Sequence, residues 1–325
     1  MALALLVLCL TLFTQDASGE GWTYSGQHGP RHWGSLFSTC AGKRQSPINI
    51  ETANVKTEFW KPLKFKNYDD PPSRMRIKNN GHSAQVEMDA AAAPRFSEGG
   101  LRGEYIFAQF HFHWGADSSM GSEHTIDGVR YPMELHLVHY NAAYGTLTEA
   151  IKRQDGLAVL GVMMEVSETD NPALTPLANA LLNITQSGMF AELSSPYPLR
   201  AFLPNNLQKF YRYEGSLTTP TCNEVVIWTV FANAIPISEK QLRNFRSLID
   251  EHHENLVNNF RPPQPLNNRK VIASFSMHDH KNADLSESKE ASRVHRLHHV
   301  PYRLHHIPKR PHHVPHRVHP HYNRY

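Results

Sequence analysis

Phe110-His111-Phe112-His113-Trp114 and, further along the chain, Glu134-Leu135-His136-Leu137-Val138-His139 are the two stretches on which the fold and chemistry of this protein turn. Each alternates large apolar residues with polar ones, the period of a β-strand buried on one face by hydrocarbon and on the other by something polar. Residues two apart on a strand share a face, so His111 and His113 project together while Phe110 and Phe112 project the opposite way. In the second stretch the same alternation puts Glu134, His136 and Val138 on one face and His139 on the other. His139 therefore leaves the set, and two neighbouring strands can bring His111, His113 and His136 to one place.

Three neutral imidazoles with a fourth position open to water make the donor set of a catalytic zinc, since structural zinc sites close all four positions, usually with cysteine or histidine. No spare cysteine is at hand to close this one. Spacing by itself also fits a pair of hydrogen-bonded core histidines. What favours a metal is the second layer of residues. Gln109 lies in phase with His111 and Glu134 with His136, and each can accept the proton of the ring nitrogen that faces away from the ion.

Further motifs occur in order along the chain: Gly29-Pro30-Arg31-His32-Trp33, Gln45-Ser46-Pro47-Ile48-Asn49-Ile50, Asn79-Asn80-Gly81-His82, Gly121-Ser122-Glu123-His124-Thr125 and Gly215-Ser216-Leu217-Thr218-Thr219-Pro220. With the two histidine strands they closely resemble the animal-type (α-class) carbonic anhydrases, the secreted members in particular, from about Trp22 to about Phe275. The resemblance implies a zinc enzyme that interconverts carbon dioxide with bicarbonate and a proton, through hydroxide held on the metal by His111, His113 and His136. It implies that Thr218 gives its hydroxyl proton to Glu123 and so presents only lone pairs to the reacting oxygen. Val138, Val159, Leu217 and Trp228 would form the apolar wall for carbon dioxide, with Thr219 beside them. His82 would relay the proton to buffer, because imidazole titrates near neutrality. Tyr24, Asn80 and Gln85 would order the water between, Gln85 standing where asparagine is commoner. Thr221 stands where many relatives carry a second proline, and threonine does not share proline's tolerance of a cis bond.

Both ends of the chain bear on its compartment. Residues 2–13 form an apolar run too short to span a bilayer, followed by Ala17 and Gly19 at a signal-cleavage spacing. A signal peptide over 1–19 and a secreted, extracellular protein are expected. Cys9 leaves with that peptide, Cys40 and Cys222 remain as an even pair in an oxidising compartment, and the resemblance pairs them in a disulfide. Asn183-Ile184-Thr185 is then a meaningful glycosylation sequon.

Residues 20–282 read as one catalytic domain, with apolar residues spread throughout and no internal linker. Many short alternating segments between Gly, Pro and Asn give a mainly β (α+β) class, and the resemblance implies a large twisted, mostly antiparallel central sheet with short peripheral helices. One helix is marked by a capping box, Ser238 with Gln241, and an apolar stripe of Leu242, Phe245, Leu248, Ile249 and Leu256, with His252 and His253 facing solvent.

The segment 283–325 has another character. It carries imperfect heptads, HRLHHVP, YRLHHIP, KRPHHVP and HRVHPHY, in which prolines 301, 308, 315 and 320 forbid a helix and leave extended or disordered chain. From Ala291 to Tyr325 there are ten histidines, seven Arg or Lys and no acid, so its charge rises from +7 toward +17 as histidine protonates. Such a tail suits an acidic matrix, a glycan or carbonate mineral, or extra metal ions, and a merely solubilising extension is the third reading. With the basicity confined there, no specific nucleic-acid partner is indicated, nor is a transmembrane segment. The alternative to an enzyme is a matrix- or metal-binding structural protein that reuses the fold.

Overall fold

Residues 21–276 are described here from a computed structural model of the chain. Residues 1–19, expected to be a signal peptide, and the histidine-rich segment 283–325 lie outside the described residues.

A mixed sheet of thirteen strands dominates the described region. Its central members are β1 (Arg74–Asn79), β2 (Ala84–Asp89), β3 (Glu104–Trp114), β4 (Met133–Asn141), β5 (Leu157–Ser167), β6 (Phe210–Gly215) and β7 (Val226–Phe231). Their spatial order is β1-β2-β3-β4-β5-β7-β6. Neighbours pair antiparallel except β5 with β7, which run parallel. The mainly antiparallel sheet expected from sequence is therefore present, with parallel pairings inserted.

Two cores cover its two faces. Behind the sheet, Phe110, Phe112, Leu135, Leu137, Leu160 and Val162 pack with Leu177 and Leu181 of α1 (Thr175–Leu181) and with Leu242 and Phe245 of α2 (Glu239–Arg246). In front, Val138, Val159, Tyr211, Tyr213, Val226 and Trp228 form a second cluster with Ile48 and Ile50. His139 belongs to the back, enclosed by Phe96, Phe107 and Tyr68. A bulge in β3 between Phe107 and Gln109 makes the division possible. Phe107 and Gln109 would share a face on a regular strand, but the extra residue sends Phe107 backward and leaves Gln109, His111 and His113 in front.

The capping box is formed, with Ser238 Oγ accepting from Gln241 N–H and Gln241 Oε1 accepting from Ser238 N–H. The helix stops at Arg246, however, before the end of the apolar stripe. Asp250 Oδ1 accepts the backbone N–H groups of His252 and Glu254, offering that segment a turn in place of a further helical turn. Leu248 and Leu256 are still buried, and His252 and His253 are exposed as expected, but on a turn rather than a helix.

Cys40 and Cys222 form a disulfide across a sequence separation of 182. It packs with Trp22 and Trp33 and ties the N-terminal segment to the loop after Thr218. In that loop the Pro220–Thr221 peptide is cis even though Thr221 is not proline.

Candidate metal centre

Strand register assembles the histidines. His111 lies directly opposite His136, His113 opposite Glu134, and Gln109 opposite Val138. On the far side of β4, Val138 faces Val159, which in turn faces Trp228 of β7. One row thus holds the polar donors and the next holds small and aromatic hydrocarbon.

Each histidine has one ring nitrogen engaged by an acceptor. His111 Nδ1–H donates to Gln109 Oε1 at 2.9 Å, His113 Nδ1–H to the Asn259 carbonyl at 2.7 Å, and His136 Nε2–H to Glu134 Oε1 at 2.8 Å. Carbonyl and carboxylate oxygens have no proton to give, so the inner nitrogens keep their lone pairs. Those of His113 and His136 stand 3.1 Å apart, and ligand-capable atoms of all three rings lie within 4.8 Å of one another. Two ligands of a tetrahedral zinc are about 3.3 Å apart for Zn–N bonds of about 2.0–2.1 Å. Burial lowers all three imidazole pKa values, that of His113 to about 4, which keeps the rings neutral and able to bind a cation.

A carboxylate faces the same point. Glu123 Oε1 accepts the Arg261 backbone N–H at 2.7 Å, whereas Oε2 is buried without a hydrogen-bond partner among the described residues. That oxygen sits 3.4 Å from His113 Nε2 and 3.8 Å from His136 Nδ1. Burial raises the Glu123 pKa to about 7, against the opposing influence of His136 and the Arg261 N–H; the Thr218 hydroxyl is near enough to oppose it too, without forming a hydrogen bond to Oε2. Three neutral nitrogens converging beside an orphaned carboxylate oxygen fit zinc and its associated water.

Glu134 is the hub behind the ligands. It accepts the backbone N–H groups of Glu123 and His124 at Oε2, both at 2.8 Å, and the rings of His124 and His136 at Oε1. Burial works to raise its pKa, but the adjacent His124 and His136 outweigh it and hold Glu134 well below the ordinary carboxylate range. Gly161, opposite His136, leaves room for this carboxylate, since a Cβ there would come within 3.2 Å of Glu134 Oε1.

His124 is the main residue that strand periodicity did not single out. It lies outside both histidine strands, fully buried, with Nε2 2.6 Å from Tyr213 Oη, which leads on to Ser46. The Asn259 carbonyl was equally hidden, because a backbone acceptor leaves no mark in side-chain pattern.

Val138, Val159 and Trp228 are buried, and Leu217 is half-buried against the same cluster. Trp228 packs edge-on to His136 at 4.7 Å. Thr218 is buried and Thr219 half-buried. His82 stacks on Trp22 at 3.9 Å and approaches Glu251 at 3.7 Å, at the edge of a cavity of about 270 Å³ that Tyr24 also lines. Asn80 donates to Gln85 Oε1, and Gln85 lies opposite His111. Asn183 is exposed just beyond α1.

The family model for the eukaryotic-type carbonic anhydrase matches residues 28–275. Human carbonic anhydrase 7 is 44% identical over 263 residues, covering 79% of this chain and 98% of that protein. Mouse carbonic anhydrase 15 is 36% identical over 282 residues, covering 82% and 87% respectively. Bovine carbonic anhydrase 6 is 36% identical over 287 residues, covering 86% and 89%. With the histidine geometry and a match across the whole described sheet, the chain belongs to the eukaryotic-type carbonic anhydrase family, whose cofactor is zinc.

Proposed function

We propose that the protein is a secreted carbonic anhydrase in which residues 20–282 carry the catalysis and residues 283–325 form a separate attachment segment. The observation that carries the catalytic part is the convergence of His111, His113 and His136, each backed by an acceptor, beside the free oxygen of Glu123. Those three imidazoles hold the zinc. When bound, zinc acidifies a coordinated water and so supplies a nucleophile near neutral pH.

The protein's own residues do the rest. Thr218 passes its hydroxyl proton to Glu123 and offers only lone pairs inward, which orients the attacking oxygen and disfavours ligands that lack a proton to donate. Val138, Val159, Leu217 and Trp228 give carbon dioxide an apolar surface from which loosely held water is readily displaced. His82, half-buried on the cavity that Tyr24 also lines, exchanges the product proton with buffer, with Tyr24, Asn80 and Gln85 ordering the water between. Gln109 and Glu134 fix the tautomers of His111 and His136.

Secretion is supported by the 1–19 segment, the Cys40–Cys222 disulfide and the exposed Asn183 sequon, which we assign as glycosylated. The tail's histidines and arginines suit an acidic matrix, a glycan, carbonate mineral or additional metal ions.

Thr218→Val tests the catalytic assignment directly. It should retain zinc and lose carbon dioxide hydration by about 100-fold, the scale of one lost oriented hydrogen bond in a preorganised site. Wild-type turnover in zinc-loaded Thr218→Val would defeat the assignment.

A further inference from the structure

A cavity of about 720 Å³, with no histidine in its lining, has Trp60, Arg212, Glu214 and Ile227 around it. Arg212 and Glu214 alternate with Tyr213 along β6, so they point away from the face on which Tyr213 opposes Trp228. A volume of this size is in the range of small-molecule sites.

Arg212 is only 6% exposed. Its Nε and Nη2 donate to Thr229 Oγ1 at 3.2 and 3.0 Å, and its guanidinium lies over the rings of Phe210 and Trp60 at 5.2 and 5.5 Å. Neither a carboxylate within 4.0 Å nor a partner for Nη1 is found among the described residues. A buried arginine normally meets an acid, because an unpaired charge out of water is costly. Burial accordingly lowers the Arg212 pKa to about 10, which still leaves it cationic at neutral pH.

The other charges around the cavity do not neutralise Arg212. Asp155 Oδ1 accepts from Tyr144 Oη, and Glu214 approaches Arg44 at 3.5 Å. Arg269 gives its three donor nitrogens to the carbonyls of Leu266, Glu214 and Pro265. Arg102 and Lys270 add positive charge without an ion pair among the described residues, and Glu58 likewise adds one negative charge.

We propose that this cavity is a binding site, distinct from the metal centre, for a small oxyanion such as a carboxylate or phosphate, anchored by Arg212 and held against the Trp60 side of the pocket. Thr229 fixes the guanidinium plane, so the ligand meets a donor that has already lost its freedom. The exposed cations at the mouth draw the anion in, and the aromatic wall suits an organic body attached to it.

The site is tested on the full zinc-loaded chain by following arginine side-chain ¹⁵N resonances while titrating inorganic phosphate in one arm and acetate in another, at constant ionic strength. Arg212→Lys assigns the signal. A saturable shift of the Arg212 resonance in either arm, with the other buried guanidinium, that of Arg261, unmoved, supports the site, and the responding arm identifies the class. Arg212→Lys should weaken that anion's binding by about tenfold, because a point charge replaces a fixed planar donor. Should that variant fold poorly, the Arg102→Ala/Lys270→Ala pair, which alters only the mouth, serves in its place and should weaken binding several-fold. An Arg212 signal that stays still in both arms, or drifts without saturation together with Arg261, overturns the proposal.

Discussion

His113 Nε2 and His136 Nδ1 stand 3.1 Å apart, and the opposite nitrogen of each ring is already engaged by an oxygen that can only accept. Two lone pairs therefore confront each other in a buried site. Only a cation between them relieves the repulsion without breaking a hydrogen bond behind one ring. Zinc binding should thus stabilise the fold as well as serve catalysis. Stripping the metal with a chelator is expected to lower the melting temperature, with recovery on adding back one equivalent of zinc. Unchanged melting after verified metal removal would count against a preformed site.

Glu134 accepts four N–H groups, so replacing it with Gln forces an amide donor toward at least one of them. Glu134→Gln should weaken zinc affinity by about 10–100-fold although no direct ligand is altered. Competition with a chromophoric chelator measures this, and unchanged affinity would show that the carboxylate has no influence on the metal.

His139 is a pH-dependent element of the back core. Burial lowers its pKa to about 3, while a tyrosine hydroxyl, that of Tyr68, lies 2.5 Å from Nε2. The unfolded chain has an ordinary imidazole with a pKa of about 6.5 and takes up a proton first as pH falls. The contribution of neutral His139 is therefore complete above about pH 6.5 and is lost as pH falls from there toward about 3, at up to about 1.4 kcal/mol per pH unit. Comparing urea unfolding of wild type and His139→Gln across that window isolates the slope. Parallel curves would exclude the linkage.

The disulfide bears on both stability and the loop that carries Thr218. Cys222 N–H donates to the Thr219 carbonyl at 2.8 Å, so the bridge restrains the chain that carries Thr218. The Cys40→Ser/Cys222→Ser double variant should lose about 2–5 kcal/mol of stability. Its hydration rate should fall while its zinc content does not, since none of the three ligands is on that loop. Loss of zinc in step with activity would contradict this division.

The parts of the protein that repeat with strand period were legible in the sequence. Alternation placed His111, His113 and His136 on one face, rejected His139, and put Gln109 and Glu134 behind the correct rings. The helix start at Ser238 was equally legible, because a capping box is local chemistry. Its end was not, since the apolar stripe continues through Leu248 and Leu256 while Asp250 captures the backbone for a turn. Arg212 reads as one more cation on an alternating strand, and only the sheet packing reveals that it is buried without an acid. His124 and the Asn259 carbonyl depend on contacts distant in sequence, Tyr213 and His113 respectively, which no local pattern encodes.

Whether the three-histidine cluster makes this chain an active carbonic anhydrase is tested by stopped-flow hydration of carbon dioxide with zinc content determined on the same samples. Wild type and a chain ending at Ala283 should each hold one zinc at the catalytic cluster and turn over at equal rates, with any further metal in the full chain confined to the tail, while His111→Ala should lose activity together with tightly held zinc. A zinc-loaded wild type that does not accelerate hydration would rule out catalysis by this cluster and leave a metal- or matrix-binding protein built on the same fold.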